Sequence, residues 1–390
     1  MCISYKLHNI CDYVASRTTN IENYISTENM LPNKGGVCAP SNVPNGTAIE
    51  YKVGDILISN IRPYFQKIWQ ADRNGACSAD VLCIRANDKA DSKFLYYLLS
   101  QQVFFDYVMS GTKGCKMPRG DKNQIMQWEI SLPSLEEQRR IAGILGAIDD
   151  KIENNRRINA NLELQTQALY KQWFVDFEFP NQEGKPYKSS GGTMIDTAFG
   201  KIPEGWTIGT LQDVAYIIMG QSPDGNSFNE KGDGVVFYQG RTEFGARYPS
   251  IRLYTTEPTR FAEPMSVLLS VRAPVGDINI ATQRCCIGRG VASIKSKSDD
   301  NVYIYCCLKE LRPQLNQYNG EGTVFGSINR KELEWLTLCI PPQEIIHRFN
   351  NVVCDMDLTM LNLFEQNNNL ATLRDTLLPK LMNGEIKVAE

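Results

Sequence analysis

Residues 132–180 read LPSLEEQRRIAGILGAIDDKIENNRRINANLELQTQALYKQWFVDFEFP, and this stretch decides how the rest of the chain is organised. Mostly apolar residues recur in it at alternating spacings of four and three, which is the heptad repeat of a coiled-coil helix. The positions are Ile141, Leu145, Ile148, Ile152, Asn155, Asn159, Leu162, Thr166, Leu169 and Trp173. A helix with one such seam needs a partner helix to cover it.

The same rhythm returns near the other end of the chain. Its positions are Phe349, Val353, Met356, Met360, Leu363, Asn367, Leu370, Arg374, Leu377 and Leu381. Both seams follow a proline-bearing start, at Leu132-Pro133 and at Ile340-Pro341-Pro342. Each helix could run for about 34 residues, or about 50 Å at 1.5 Å per residue.

Polar residues near the middle of each seam distinguish two interpretations of these helices. Two long helices buried in ordinary helical domains would be the simpler one. However, Asn159 and Asn367 each lie near the centre of a seam, and the middles of two antiparallel helices meet. A buried asparagine pair there would fix register and orientation at some cost in stability. We therefore predict an intramolecular antiparallel coiled coil.

Length and composition indicate a multidomain globular protein. The chain has 390 residues, of which 42% are hydrophobic and 22% charged, which suits two domains with connectors. No apolar run approaches the roughly 18 residues of a membrane span, and residues 1–7 show no signal-peptide core. We expect a cytoplasmic protein that does not contact a membrane.

Cysteine and charge patterns exclude some functions and leave others open. The twelve cysteines are scattered or vicinal, and two histidines are too few to complete a metal site with them, so buried thiols are expected. The net charge of -3 weakly disfavours nucleic-acid binding when taken alone. Residues 341–390 contribute 4 basic and 7 acidic side chains, so the globular parts can still present basic faces.

The two halves of the chain share one plan. Ser59 and Pro63 recur 211 residues later as Ser270 and Pro274, and Gly111-Thr112 recurs at the same offset as Gly322-Thr323. The order is thus domain, helix, domain, helix, a tandem repeat with pseudo-twofold symmetry. We predict an α+β fold in which two mixed α/β domains are joined by two long antiparallel helices. The predicted boundaries are 1–132 for the first domain, 133–180 for the first helix, 181–200 for a polar linker, 201–340 for the second domain and 341–390 for the second helix with its tail.

No known catalytic motif stands out in the sequence. It lacks a phosphate-binding P-loop, a zinc-protease motif, a serine nucleophile elbow and a glycine-rich turn for a dinucleotide or S-adenosylmethionine. The loops instead mix basic and aromatic residues, which suits phosphate contacts and base recognition. The candidate DNA-binding residues are Arg62, Tyr64, Lys67, Lys113, Lys116, Arg119, Lys122, Arg241, Arg247, Arg272 and Thr323. Arg62 or Arg272 could equally be a buried structural arginine, and any of these loops could be merely solvated.

With these motifs in place, the chain resembles the specificity subunit of a type I restriction-modification system over essentially its whole length. The resemblance rests on the domain-helix alternation and on a set of short motifs. These are 132–141 (LPSLEEQRRI), 169–177 (LYKQWFVDF), 202–206 (IPEGW), 219–223 (MGQSP) and 373–381 (LRDTLLPKL). The second helix start, Ile340-Pro341-Pro342-Gln343-Glu344, departs from the pattern by lacking the Glu-Glu-Gln of the first.

This resemblance implies a DNA-binding subunit without catalytic activity of its own. Each domain would recognise one half of a bipartite double-stranded DNA target, and the helices would set the spacing and dock two modification subunits. Those partners would supply S-adenosylmethionine and adenine methylation, and restriction subunits would add ATP- and Mg-dependent cleavage. Domains about 50 Å apart would correspond to about 15 base pairs centre to centre.

Two further hypotheses stay open from the sequence. The acidic total and modest basic patches also suit a coiled-coil scaffold whose two domains bind proteins rather than DNA. An independent methyltransferase would be a third reading, but the missing cofactor motif argues strongly against it.

Overall fold

The structure is a computed structural model that describes residues 3–40, 42–112, 116–198, 200–320 and 326–388. It contains two compact units. Unit 1 comprises Met1–Asn154 together with Asn367–Glu390, and unit 2 comprises Asn155–Gln366. Each unit holds one globular domain and part of both long helices. Within the described ranges, no helix combines the length and apolarity needed to cross a bilayer.

Unit 1 contains a four-stranded antiparallel sheet with the order β2-β8-β5-β6 and a three-stranded sheet with the order β3-β4-β7, while β1 pairs with β9. The strands are β1 Ile3–Lys6, β2 Cys11–Tyr13, β3 Arg17–Thr18, β4 Ala48–Tyr51, β5 Ile56–Ser59, β6 Ile68–Gln70, β7 Gly75–Cys77, β8 Val81–Ala86 and β9 Glu129–Leu132. The helices are α1 Ser92–Leu99, α2 Gln102–Ser110, α3 Lys122–Met126 and the first part of α4 Leu135–Tyr170, with 3-10 turns at Leu7–Asn9 and Pro63–Phe65.

The sequence predicts one helix over 92–109 behind a serine cap, and the structure corrects both points. Asp91 is the N-cap, since its carboxylate accepts from the amides of Lys93 at 3.0 Å and Phe94 at 2.9 Å. The helix stops after Leu99 with Ser100 as its C-cap, whose amide and hydroxyl both donate to the Tyr96 carbonyl, at 2.9 and 2.6 Å; Gln101 is then extended, with a ψ of 150°, and is the N-cap of the separate helix α2.

Unit 2 repeats the four-stranded sheet with the order β13-β21-β18-β19 and adds a five-stranded sheet with the order β14-β16-β15-β20-β17; β12 pairs with β22 and β10 with β11. The strands are β10 Met194–Thr197, β11 Gly200–Pro203, β12 Thr207–Thr210, β13 Ala215–Met219, β14 Phe228–Asn229, β15 Val235–Tyr238, β16 Leu253–Thr255, β17 Phe261–Ala262, β18 Val267–Ser270, β19 Ile278–Ile280, β20 Cys285–Ile287, β21 Val291–Ser296 and β22 Thr337–Ile340. The helices are the end of α4, α5 Leu211–Val214, α6 Asn301–Glu310, α7 Arg312–Asn316, α8 Arg330–Glu334 and most of α9 Gln343–Met382, with a π turn at Lys171–Val175 and 3-10 turns at Gly225–Ser227, Arg241–Glu243 and Gln317–Asn319.

The segment between the first long helix and the second domain is more structured than a polar linker. The Phe179 ring stacks on Tyr187 at 4.6 Å and on Trp206 at 5.3 Å between centroids. The hairpin of β10 and β11 follows. Aromatic stacking across this segment fixes its path at the start of the second domain.

The two long helices run antiparallel within each unit. In unit 2 the Asn155 amide donates to the Gln366 side chain at 2.7 Å, and further along α4 the Asn159 amide donates to the Met360 carbonyl at 3.3 Å. In unit 1 the Asn367 amide donates to the main-chain carbonyl of residue 152 at 3.3 Å. The predicted pairing of Asn159 with Asn367 is therefore wrong in detail. The Asn159 side chain donates to a main-chain carbonyl of the facing helix and not to the other asparagine.

The heptad positions face inward in both units. Buried seam residues are Ile141, Leu145, Ile152, Asn155, Thr166, Trp173, Phe349, Val353, Met360 and Leu381. The half-buried ones are Ile148, Asn159, Leu162, Leu169, Met356, Leu363, Asn367, Leu370, Arg374 and Leu377. In unit 1 the α9 residues Leu378 and Leu381 share a core with Ile141 and Leu145, and in unit 2 Phe349 packs edge-on against Trp173 at 5.8 Å.

The two helix starts are secured differently. In unit 1 the buried Gln138 side chain accepts from the Asp91 amide at 2.9 Å and donates to the carbonyls of Lys89 and Pro133 at 3.1 and 3.0 Å. In unit 2 the Gln343 amide donates to the Asp300 carboxylate at 2.7 Å. A glutamine thus ties the long helix to the N-terminal end of a domain helix in each unit, α1 in unit 1 and α6 in unit 2, although it stands at a different position in the second long helix.

Candidate nucleic-acid interface

Two loops lie side by side in unit 1 at the point where the central strand β5 ends. The Arg62 amide donates to the Pro118 carbonyl at 2.9 Å, and Ile61 forms an isolated bridge with Arg119. Arg62 has a φ of 51°, in the left-handed region, and its side chain is exposed. Strain of this kind in a non-glycine residue concentrates at binding sites.

Aromatic and basic side chains surround this junction. The rings of Tyr64 and Phe65 are 48% and 38% exposed and 4.6 Å apart between centroids. Lys116 is exposed, whereas Arg119 is 3.3 Å from the Asp80 carboxylate. Exposed flat rings beside positive charge suit stacking on bases and contact with phosphates.

Two lysines have partners of their own. Lys67 is half-buried, and its ammonium donates to the Thr27 carbonyl at 2.7 Å, so it braces the loop. The ammonium of Lys122, the first residue of α3, lies 6.0 Å from the centre of the Tyr13 ring, while its side chain stays exposed. Lys122 is therefore available to a ligand, and Lys67 serves the loop's own conformation.

Unit 2 has a groove of about 650 Å³ at the equivalent strand end, after β18. Arg272 forms an isolated bridge with Ser327, and the Ala273 amide donates to the Gly326 carbonyl at 2.9 Å. The groove is lined by Met219, Val271, Arg272, Ala273, Arg289, Gly326, Ser327, Ile328, Asn329 and Arg330. Three arginines thus border one open surface, and the lining residues in the described part of the chain include no carboxylate.

The hydrogen bonds show which residues of the two domains correspond. The hydrogen bond from the Arg62 amide to the Pro118 carbonyl matches the one from the Ala273 amide to the Gly326 carbonyl. The β-bridge of Ile61 with Arg119 matches the β-bridge of Arg272 with Ser327. The sequence pairs Arg62 with Arg272 by residue type and loop context, but Arg272 corresponds to Ile61, as the offset of 211 residues also implies. The scaffold is repeated, but each domain places its arginine at a different point on it.

Arg241 borders a second cavity, of about 400 Å³, away from this groove's lining residues. Its side chain is half exposed and lies 2.5 Å from the Asp277 carboxylate, which also binds Arg312 at 2.9 Å. A carboxylate shared by two arginines leaves less positive charge for a phosphate.

Arg247 is placed where a DNA contact is not feasible. It is 6% exposed, and its guanidinium binds the Glu163 carboxylate of α4 and the Asp357 carboxylate of α9. It also stacks on the Tyr305 ring at 4.2 Å. Its position argues against the predicted DNA contact, because a buried arginine with two carboxylates has no free face for a phosphate.

Charge balance explains the titration of this buried cluster. Burial alone would raise the pKa of Glu163, but Arg247 and Lys309 outweigh it and hold that pKa below its ordinary value. Burial opposes the charge of Arg247, yet Tyr305, Glu163 and Asp357 raise its pKa above the ordinary arginine value. All these groups lie in unit 2, so the cluster joins the second domain to both helices there.

Lys113 and Thr323, two predicted DNA-binding residues, lie outside the described residues. Arg289 and Arg330 were missed by sequence reasoning. The signal for Arg289 was the tripeptide Gly288-Arg289-Gly290 directly after β20, since glycines on both sides of an arginine mark a tight turn that exposes it. Arg330 is 2.6 Å from Glu334 on the next turn of α8.

The described ranges contain no group of three or more histidine, cysteine or acidic side chains suited to a metal ion. The site's chemistry is that of hydrogen-bond donors, positive charge and aromatic faces. This set can bind a polyanion and distinguish base edges.

Comparison with known proteins agrees with the repeated architecture. The family model described as "Type I restriction modification DNA specificity domain" matches twice, over residues 17–164 and 203–356. The chain belongs to this family of type I specificity subunits.

Individual relatives support the same membership. The chain is 38% identical over 276 residues to the "Putative type I restriction enzyme MjaX specificity subunit" of Methanocaldococcus jannaschii, covering 68% of this chain but 61% of that relative. It is 26% identical over a 443-residue alignment to the HindI specificity subunit of Haemophilus influenzae, covering 93% and 94%. A crystal structure of the type I S subunit from M. genitalium shares the fold, with a TM-score of 0.56 at 15% identity over 98% of this chain and 96% of that one.

Proposed function

We propose that this chain is the non-catalytic DNA-specificity subunit of a type I restriction-modification complex. Each globular domain recognises one half of a bipartite double-stranded DNA target. The observation that carries the proposal is the repeated junction after β5 and β18, where each domain presents exposed arginine on a surface built from the same hydrogen bonds. Phosphate contacts give affinity, and arginine contacts to base edges give sequence choice.

The two long helices act as an intramolecular coiled-coil spacer. This part of the proposal is supported by the inward-facing heptad positions and by the antiparallel bonds within each unit, such as those of Asn155 and Asn367. The helix α4 has 36 residues and α9 has 40. Helices of this length can separate two recognition sites by several α-helical turns.

The outer faces of these helices dock two modification subunits. Support comes from apolar side chains that are left exposed on otherwise polar helices: Ile144 at 38% and Leu373 at 47% in unit 1, and Leu164 at 64% and Leu358 at 56% in unit 2. Exposed aliphatic side chains at these levels suit a protein interface. This chain binds no cofactor, and S-adenosylmethionine, ATP and Mg serve the modification and restriction subunits.

Reconstitution with the modification subunits tests the function. Methylated adenines in DNA treated with the complex are mapped, and we expect one bipartite sequence with a fixed gap. Binding weakens steeply as salt rises, because phosphate contacts release counterions. Absence of a shared bipartite sequence would refute the proposal, and binding that salt does not affect would favour a protein-binding scaffold.

A matched pair of variants localises the contact in unit 1. Arg62→Ala at the junction should change one half-site or weaken DNA binding, whereas Arg73→Ala should do neither. The Arg73→Ala substitution removes the same charge, but Arg73 lies in the turn before β7. There its guanidinium is 3.1 Å from the Asp72 carboxylate and stacks on the Trp69 ring at 5.3 Å. Equal effects of both variants would show that charge alone, rather than the junction, matters.

A further inference from the structure

The turn that carries Arg289 is built as a rigid platform at the groove of unit 2. The Val291 amide donates to the Gly288 carbonyl at 3.0 Å, which closes a four-residue turn with Arg289 at its second position. The Gly288 amide donates to the Tyr238 carbonyl at 2.9 Å, and the Val271 amide donates to the Gly290 carbonyl at 3.0 Å. The turn is thereby held from two neighbouring strands.

The 219–223 segment holds the same turn from a third side. The Gly220 amide donates to the Val291 carbonyl at 2.9 Å, the next amide of the segment donates to the Ile287 carbonyl at 2.9 Å, and the Arg289 amide donates to the Ser222 hydroxyl at 3.3 Å. A side chain on Gly220 would collide with the carbonyl oxygens of Gly288, Val291 and Ile287. The glycine is thus required by close packing beneath the turn.

Unit 1 contains the same turn with a different tip. The Val81 amide donates to the Ser78 carbonyl at 2.9 Å, and the Asn60 amide donates to the Asp80 carbonyl at 2.9 Å. The position that corresponds to Arg289 is occupied by Ala79. The platform is therefore common to both domains, whereas the side chain at its tip is specific to the second.

The Arg289 side chain is exposed at the groove, and among the described residues it has no ion-pair or hydrogen-bond partner. Its neighbour Arg330 is bound by Glu334. Because the backbone of the turn is already fixed, the main conformational entropy lost when Arg289 binds a ligand is that of its own side chain. The planar fork of arginine matches the O6 and N7 acceptors of guanine in the major groove.

We propose that Arg289 is the specificity-determining residue by which the second domain recognises a guanine in its half-site, an assignment that rests on the proposed function. The Gly288–Val291 turn presents the guanidinium to the base edge. Arg272, on the adjoining bridge, contacts the phosphate backbone beside it. The tip of this turn is then the point at which the common scaffold acquires a base preference.

The test replaces Arg289 in the full chain and assembles it with the modification subunits. Arg289→Lys keeps the charge but removes the fork, so we expect discrimination for guanine at one position of one half-site to fall roughly 10- to 100-fold. The other positions, the gap and the salt dependence of binding should stay unchanged. Arg289→Ala should relax the same position.

Arg284→Lys is the matched control, because Arg284 is exposed and stacks on Phe261 at 3.8 Å, outside the residues that line the groove. It should leave the methylated sequence unchanged. If folded, assembled Arg289→Lys retains the wild-type sequence, or loses methylation at all sites alike, the assignment to base recognition is overturned. A wild-type complex that methylates no bipartite sequence refutes the proposed function itself, which distinguishes the two failures.

Discussion

Replacement of Arg247 by methionine should destabilise unit 2 strongly. The guanidinium is 6% exposed and bridges Glu163 and Asp357, whose side chains are 16% and 7% exposed. Glu163 would keep Lys309, but Asp357 would lose the one ion-pair partner that the described residues give it. Removing one member of a buried ion pair costs about 3–5 kcal/mol, because the remaining charge is left uncompensated.

Urea unfolding followed by tryptophan fluorescence measures this cost, and hydrogen exchange of peptides from 155–366 assigns it to unit 2. For a unit of about 200 residues, the same loss lowers the midpoint of thermal unfolding by about 6–20 °C. Arg241→Met is the matched control, because its pair with Asp277 is half exposed and such pairs contribute about 0–1 kcal/mol.

A double variant separates lost charge compensation from lost packing. Arg247→Met with Asp357→Asn removes the orphaned carboxylate, so its cost should be smaller than the sum of the two single costs by at least about 1 kcal/mol. A cost below about 1 kcal/mol for Arg247→Met, or additive costs in the double variant, would show that the cluster does not join the domain to the helices as argued.

Four further outcomes are expected. The difference in free energy of unfolding between wild type and Glu163→Gln should have its full size above about pH 5 and shrink as pH falls below about 4.5. The reason is that the pKa of Glu163 is lower in the folded state, so its carboxylate stabilises the fold and protonation removes that stabilisation. A difference that grows on acidification in urea titrations contradicts this. Gly220→Ala should cost about 1–3 kcal/mol in the same titrations through overpacking against three carbonyls, and unchanged stability would show that the turn can shift. Gln138→Ala should cost about 1–3 kcal/mol because it removes three hydrogen bonds between a buried side chain and part-buried main-chain groups of unit 1, and an effect below about 0.5 kcal/mol would contradict that. Deletion of one heptad from both long helices should shorten the gap in the methylated sequence by about 3 base pairs, since seven residues span about 10 Å; an unchanged gap counts against the spacer.

Periodicity and repetition carried most of the fold prediction. The spacing of residues such as Leu145 and Met360 identifies an apolar face, because a buried helix face must recur every 3.5 to 3.6 residues. The serines that repeat after 211 residues lie at equivalent points of the two domains, since Ser59 ends β5 and Ser270 ends β18. The break between α1 and α2 was harder to see, because nothing in the apolar pattern of 92–109 showed that Gln101 would be extended.

The candidate site was less accessible to sequence reasoning. Residue type cannot distinguish an exposed arginine from a buried one, and Arg247 became structural because Glu163 and Asp357, distant in sequence, converge on it. The repeat of serines and prolines at an offset of 211 already aligns Arg62 with Ala273, and the hydrogen bonds between adjacent loops agree; pairing Arg62 with Arg272 by residue type was the mistake. Arg289 escaped notice because its importance comes from the surrounding turn.

Unit 1 is assembled from two segments that are synthesised far apart in time. Asn155–Gln366 is continuous and leaves the ribosome before Leu378 and Leu381, which fill the core beside Ile141 and Leu145. At 5–20 residues per second, the roughly 210 intervening residues delay that core by about 10–40 s. The first domain of the nascent chain is therefore the last to be completed, and it exposes an apolar helix face to chaperones throughout the wait.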